Sequence, residues 1–159
     1  MSKENALAAS DLTQLRQLIQ SSAHFSYEEI RHFFNETSQL KSLGIHVDWI
    51  KPGEAQLSIA EIKDIHKGGL GSSAINGGII ALICDMTLGL LGADYWQEGY
   101  NATQNLSIDY LKPLLANKVI AHGKVERLVG KKLVALIEVS NENGEVCSCA
   151  HGILATGLK

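Results

Sequence analysis

Residues 75–93 read INGGIIALICDMTLGLLGA, and this stretch decides the architecture of the chain. Asp85 is its single charged residue, and most of the other residues are apolar or glycine. A helix of this composition is apolar around most of its circumference, so other elements must cover it on most sides. The stretch is too short, and too interrupted by glycine, to span a membrane comfortably. It therefore predicts one long helix buried inside a soluble domain.

The beginning of the chain predicts a helical extension. Asp11 can cap a helix over Leu12–Gln20, where leucine and isoleucine recur at helical spacing. Ser26 followed by Glu29 forms a capping box, which predicts a second helix that runs to about Leu40. Such an extension is compatible with two roles, capping a pocket or padding a subunit interface.

The rest of the chain predicts strands, because the apolar period changes to two from Ile45 onward. Asn143-Gly144 is a strong hairpin signal. The predicted strands cover residues 45–50, 55–62, 102–110, 118–129, 132–139 and 146–156. This order predicts an α+β fold, in which an antiparallel sheet wraps around one long central helix after an N-terminal helical extension. The expected division is an extension over residues 1–42 and one domain over residues 43–159.

Bulk composition narrows the class of protein. The 159 residues suffice for one domain with a sizeable core, and the net charge of -3 argues against a nucleic-acid surface or a polybasic membrane anchor. The N-terminus lacks the continuous apolar region of a signal peptide. Three cysteines without framework spacing suit a reducing compartment, so we expect a cytoplasmic protein. We expect Cys84, Cys147 and Cys149 to be packed thiols, with no metal and no cofactor.

Asp85 is the informative residue for chemistry. It is the only charged side chain between Lys67 and Asp94, and it lies among leucine, isoleucine and methionine. Burial of a carboxylate is costly unless the group is hydrogen-bonded or has a function. The alternative is an aspartate on a narrow solvent-facing stripe of the helix.

The start of the helix is a second candidate feature. Asn76, Gly77 and Gly78 stand where a helix presents free N–H groups and the positive end of its dipole. Glycine lets a ligand approach the backbone closely, and the combination can hold a developing oxyanion. The alternative is a simple asparagine cap, with the glycines serving only chain entry.

Two segments resemble a known family. Ile75 to Asp85 resembles the [VIL]-H-G-G-x-x-x-x-L-x-D signature of hotdog thioesterases, of the phenylacetate-pathway (PaaI-like) type within the 4-hydroxybenzoyl-CoA thioesterase superfamily. Thr103 to Pro113 resembles the next strand of that family, which typically ends Y-L-x-P. The resemblance covers roughly residues 43–156 and implies the hotdog fold.

The resemblance also implies roles for individual residues. Asp85 matches the catalytic carboxylate, acting as a general base on water or as a nucleophile. Gly77 matches the glycine whose N–H polarises the thioester carbonyl, and Thr103 matches a position that holds the water or the carboxylate. Asn76 stands where the family usually has histidine, and asparagine can donate a hydrogen bond but cannot take up a proton. Gly78 is expected to line the substrate site.

Four further side chains are candidate substrate contacts. His66 could supply a polar group near the site, and the alternative is a strand-end histidine on the surface. Arg127, Lys131 and Lys132 flank a predicted hairpin turn and could meet the phosphates of CoA. The alternative for these three is a solvated turn.

The sequence therefore predicts an acyl-CoA thioesterase with water as the acceptor. Gly77 and Asp85 lie eight residues apart, about 12 Å along a helix axis at a rise of about 1.5 Å per residue. One straight helix cannot bring both to the same substrate, so we expect a homodimer with sites shared between subunits. The hotdog resemblance implies the same dimer, often paired further into a homotetramer. Two alternatives are a hotdog enoyl-CoA hydratase or dehydratase, and a non-catalytic acyl-CoA or lipid-binding module.

Overall fold

The computed structural model describes residues 26–68, 71–98 and 100–158. Three α-helices and six strands make up this part, together with short 3-10 turns at Asp64–His66 and Ala93–Glu98. The α-helices are α1 (Tyr27–Glu36), α2 (Ser38–Ser42) and α3 (Gly77–Leu91). The strands are β1 (Ile45–Lys51), β2 (Glu54–Ile59), β3 (Tyr100–Tyr110), β4 (Val119–Val129), β5 (Lys132–Asn141) and β6 (Val146–Leu158). The helix predicted over Leu12–Gln20 lies outside the described residues.

Helix α1 begins at the predicted capping box. The Ser26 side chain accepts from the Glu29 backbone N–H, and the Glu29 carboxylate accepts from the Ser26 backbone N–H. The prediction of one helix to Leu40 is wrong, because the chain becomes extended at Thr37. The Thr37 hydroxyl and backbone N–H both donate to the Phe34 carbonyl, at 2.7 and 3.1 Å. This local bonding competes with continuation of the helix.

The six strands form one antiparallel sheet in the order β1-β2-β4-β5-β6-β3. All six predicted strands are present, with bounds that differ by a few residues. The fold prediction is therefore confirmed, as a sheet that packs on the central helix α3 and follows N-terminal helices. No helix in the described part is long and apolar enough to cross a membrane.

Two glycines let α3 lie close against the sheet. A Cβ on Gly123 would come within 2.6 Å of the Thr87 side chain, and a Cβ on Gly152 would come within 2.5 Å of the Leu88 side chain. A larger residue at position 123 or 152 would therefore occupy space that helix α3 fills. The side of α3 that faces the sheet is buried and includes Ile80, Ile83, Cys84, Thr87, Leu88, Leu90 and Leu91.

The opposite side of α3 is only partly covered. Gly78 and Asp85 are exposed, and Leu82 and Gly89 are half-buried. These four residues are spaced by four, three and four positions, so they form one stripe along the helix. Only Gly78 and Asp85 of the helix are exposed, so the expectation that the helix is covered on most sides is confirmed, with a narrow stripe left open in the single chain. The sheet covers one side and leaves an apolar stripe with one carboxylate.

The two edges of the sheet differ. At β1, the Asn35 side chain of α1 accepts from the Val47 N–H at 2.7 Å and donates to the Val47 carbonyl at 3.0 Å. This amide takes the place of a neighbouring strand, a common way to protect a sheet edge. At β3, the other edge, no described strand pairs with the outer side of its eleven residues.

Candidate active site

A β-bulge brings Thr103 to the helix-facing side of β3. Strict alternation predicts Thr103 on the face opposite Leu106, and that prediction is wrong. The β3–β6 register shifts between Thr103 and Asn105, so Thr103 pairs with Leu154 while Leu106 pairs with Gly152. Residues 152 and 154 share one face of β6, so Thr103 and Leu106 share one face of β3. Bulges are known to re-aim side chains beside active sites.

Thr103 and Asp85 meet at this face. The Thr103 hydroxyl donates to Asp85 Oδ1 at 2.8 Å. Asp85 is exposed in the single chain, which matches the solvent-facing alternative rather than a buried carboxylate. The bond holds one carboxylate oxygen and leaves the other able to accept a proton.

Asn76 is the N-cap of α3. Its side-chain oxygen accepts from the Gly78 N–H at 2.7 Å, and its backbone carbonyl accepts from the N–H groups of Ile79 and Ile80. The side-chain amide nitrogen is therefore available as a donor, and no described residue accepts from it. Among the described residues, none accepts a hydrogen bond from the Gly77 N–H either. The helix start thus offers two donors, as an oxyanion site requires.

Tyr110 at the end of β3 contacts the same helix start, which the residue-level reasoning did not predict. Its hydroxyl donates to the Gly77 carbonyl at 3.0 Å. A Cβ on Gly77 would lie 3.4 Å from the Tyr110 ring. The signal was present in the sequence as the first residue of the Y-L-x-P motif, but the motif alone does not say what the tyrosine contacts.

The two groups of the site lie at different positions on α3. Gly77 opens the helix and Asp85 lies eight residues later, about 12 Å along the axis at a rise of about 1.5 Å per residue. The single chain therefore forms two separate groups of residues. Thr103 lies beside Asp85 in one group, and Asn76 and Tyr110 lie beside Gly77 in the other. A reacting carbonyl held at Gly77 is out of reach of a nucleophile held at Asp85 of the same chain.

His66 lies in the interior, with only 1% of its surface exposed, so the surface alternative is wrong. Its Nδ1 accepts from the Lys63 N–H at 3.0 Å, and its Nε2 lies 2.8 Å from the Leu43 carbonyl. A neutral imidazole with the proton on Nε2 satisfies both contacts. Its backbone carbonyl accepts from the Asn76 N–H at 2.8 Å. The geometry supports a role in placing Asn76 through the backbone and leaves no ring nitrogen for substrate.

Arg127, Lys131 and Lys132 are exposed on the β4–β5 hairpin. The register aligns Thr103 with Leu154, Leu133 and Leu128 in one row across β3, β6, β5 and β4. The hairpin therefore lies at the Thr103 end of the sheet. Three strand spacings of about 4.8 Å separate β3 from β4, which gives about 14 Å.

The three cysteines are buried or half-buried. Cys84 is fully buried, and desolvation raises the pKa of its thiol to about 12. Cys147 is buried and Cys149 is half-buried. Within residues 26–68, 71–98 and 100–158, no three His, Cys, Asp or Glu side chains gather into a group that could hold a metal ion.

The segment that contains Gly77, Asp85, Thr103 and Tyr110 resembles a known protein family. Residues 73–148 match the family model described as the Thioesterase superfamily. A curated relative is the acyl-coenzyme A thioesterase THEM4 of Rattus norvegicus, which is 38% identical over 60 residues. That alignment covers 37% of this chain and 25% of the rat protein, so the chain spans about a quarter of that relative's length.

Solved structures resemble most of the chain. A Shewanella oneidensis protein related to the thioesterase superfamily has a TM-score of 0.72 at 19% identity, covering 82% of this chain and 95% of its own. The E. coli PaaI protein of the phenylacetic acid degradation operon has a TM-score of 0.69 at 18% identity, covering 82% and 91%. At these identities the likeness concerns the fold. The chain therefore has the hotdog thioesterase fold, and its segment 73–148 matches the Thioesterase superfamily.

Proposed function

We propose that this chain is an acyl-CoA thioesterase of the PaaI-like type, which hydrolyses a thioester to a free acid and CoA. The observation that carries the proposal is the 2.8 Å hydrogen bond from Thr103 to Asp85, the single carboxylate on an otherwise apolar helix. The Gly77 N–H and the Asn76 side-chain amide at the start of this helix supply the second requirement of acyl transfer, a site for the oxyanion. The family match and the acyl-CoA thioesterase relative support the same chemistry.

In the proposed reaction the Gly77 N–H and the Asn76 amide donate to the thioester carbonyl oxygen. Asp85 takes a proton from water, and the resulting hydroxide attacks the carbonyl carbon. The tetrahedral intermediate carries its negative charge on the oxygen held by those donors. The C–S bond then breaks, and the CoA thiolate takes the proton from Asp85. Direct attack by the Asp85 carboxylate is the alternative route, with a mixed anhydride that water hydrolyses.

The proposed enzyme works as a dimer, because each subunit supplies one part of a site. Strand β3 presents an edge that no described strand pairs, and beside it α3 presents the stripe of Gly78, Leu82, Asp85 and Gly89. A long open edge next to an apolar helix face favours pairing with a second copy. An antiparallel second α3 would set its own Asp85 beside the first Gly77, and a two-fold axis would make two such sites. Further pairing into a tetramer is compatible with this arrangement.

The proposed substrate contacts include the basic hairpin. Arg127, Lys131 and Lys132 are exposed cations. By strand spacing, Arg127 on β4 lies about 14 Å across the sheet from Thr103 and Lys132 on β5 about 10 Å, with Lys131 in the turn between the two strands. The pantetheine arm of CoA is long enough to separate the phosphates from the thioester by such a distance. Guanidinium and ammonium groups are the usual partners of phosphate. Gly78, exposed at the helix start, would allow the carbonyl to approach the backbone.

The test is incubation with a panel of acyl-CoA thioesters, with a thiol reagent to detect free CoA. Release of thiol by the wild type, and its loss in Asp85→Asn, is the expected result. Hydration of an enoyl-CoA without thiol release would identify a hydratase instead. Saturable binding of acyl-CoA without turnover would identify a binding module. That alternative is suggested by the asparagine that stands at the usual histidine position. Either result would refute the proposed hydrolysis.

A further inference from the structure

We propose that Tyr110 is a positioning residue, which fixes the first turn of α3 so that the Gly77 N–H can hold the thioester carbonyl. The inference rests on the function proposed above. Tyr110 lies on the edge strand β3, and the proposed role acts on a different element, the start of helix α3.

The peptide group between Gly77 and Gly78 is held at both ends. Its carbonyl accepts from the Tyr110 hydroxyl at 3.0 Å, and its N–H donates to the Asn76 side chain at 2.7 Å. Two hydrogen bonds from opposite directions define the plane of this peptide. The same plane helps set the backbone angles of Gly77, whose N–H is the proposed donor to the substrate.

Such restraint is needed because two glycines open the helix. Glycine has no Cβ and therefore samples a wider range of backbone angles than any other residue. The first turn of a helix also lacks the intrahelical bonds that hold later N–H groups. At Gly77 the Tyr110 ring supplies the missing contact, since its atoms lie 3.4 Å from the position a Cβ would take. Ring and hydroxyl together narrow the orientations of the turn.

Tyr110 is itself anchored by the sheet. It pairs with Ser148 of β6, and the next two residues, Leu111 and Lys112, donate their N–H groups to the Cys147 carbonyl at 3.0 and 3.2 Å. The backbone of Tyr110 is therefore fixed by β3 and β6, which are elements other than α3. Because β3 also carries Thr103, one strand holds both Asp85 and the helix start.

Tyr110→Phe tests the proposal, because it removes the hydroxyl and keeps the ring. Tyr27→Phe is the matched control, since it removes a tyrosine hydroxyl that donates to Asp94, outside the site. Amide NMR and hydrogen exchange report the helix start directly. In Tyr110→Phe we expect the Gly77 and Gly78 amide signals to shift and the Gly78 amide to exchange about threefold to tenfold faster, the scale of one net hydrogen bond. The control should leave both signals unchanged.

Kinetics supply the second measurement. We expect kcat of Tyr110→Phe to fall about fivefold to tenfold with KM changed less than about twofold, because positioning acts on the transition state. Unchanged Gly77 and Gly78 signals would overturn the proposal, as would shifted signals with wild-type kcat. Absence of hydrolysis by the wild type would refute the thioesterase proposal alone, and the amide signals would still decide the Tyr110 contact.

Discussion

The hydroxyl of Thr103 donates a 2.8 Å hydrogen bond to Oδ1 of Asp85 and so joins the edge strand to the central helix. No other described group donates to this carboxylate. Two different elements thus position the Asp85 carboxylate. Helix α3 fixes where the residue lies along the helix axis, and the hydrogen bond from β3 fixes the orientation of the carboxylate group. The contact exists only because the bulge between Thr103 and Asn105 turns Thr103 toward the helix.

Asp85→Asn should abolish most of the activity. The amide keeps the shape and can still accept from Thr103, but it cannot take a proton from water. We expect turnover to fall at least about a hundredfold, the scale of general acid–base effects, with Tm unchanged because the side chain is exposed. Asp109→Asn, an exposed position on the same strand as Thr103, is the control and should keep wild-type turnover. Near wild-type activity in Asp85→Asn would remove Asp85 from the mechanism.

Thr103 should matter through its hydroxyl. Thr103→Val keeps the branched shape and removes the donor, so the Asp85 carboxylate loses its orientation; we expect kcat to fall about threefold to tenfold, the scale of one hydrogen bond. Thr103→Ser restores a hydroxyl and should recover most of kcat. Ser107→Val is the control on the same strand, since Ser107 pairs with His151 on the face of β3 away from the helix. Equal rates in the Val and Ser variants of Thr103 would argue against the hydrogen bond.

Asn76 should act both as a cap and as a donor, and two substitutions separate these tasks. Asn76→Ala removes both, and we expect roughly tenfold or more loss of turnover with about 1 kcal/mol less stability. Asn76→Asp keeps an oxygen for the Gly78 N–H, so it should recover Tm but not turnover. Asn76→His should be tolerated. Wild-type turnover in Asn76→Ala would leave the side chain with a capping role only.

The two halves of a site should be supplied by two subunits. Asp85→Asn subunits keep the helix start, and Gly77→Leu subunits keep the carboxylate. The leucine would place a bulky side chain at the helix start, beginning from a Cβ position 3.4 Å from the Tyr110 ring, and so block the approach of the substrate carbonyl. Mixed after dissociation and reassembly, the two inactive variants should regain activity at one site per mixed dimer. Each variant reassembled with itself is the control. No recovery despite demonstrated subunit exchange, or a fully active monomer, would contradict the shared site.

Cys84 should be unreactive in the folded protein, although it stands next to Asp85. Burial raises the pKa of its thiol to about 12, so the thiolate is scarce at every pH below that value and rises only toward strongly alkaline pH. Alkylation at pH 8 followed by peptide mapping should label Cys149 before Cys84, because only Cys149 is partly exposed. All three cysteines should react after denaturation. Rapid labelling of Cys84 in the native protein would contradict its buried position.

Much of the architecture followed from local patterns. The capping box at Ser26 marks the start of α1, and alternation of apolar residues marks the six strands. These features depend on neighbours within a few residues, so one sequence displays them. The end of α1 could not be read in this way, because the Thr37 hydroxyl competes with the helix through a bond to Phe34 that propensity does not specify.

The sequence by itself determined the order of the elements, the long apolar helix, and the Asn76-Gly77-Gly78 start of that helix, for which a carbonyl-binding role is proposed. Only the tertiary structure decided which groups meet them. Alternation placed Thr103 on the wrong face of β3, because one extra residue in a bulge reverses the direction of every side chain beyond it. The contact between Tyr110 and Gly77 joins residues 33 positions apart, and the sheet register, not any local pattern, sets that distance. Side-chain contacts of this range depend on how strands pair and where the helix seats, and both are properties of the packed fold.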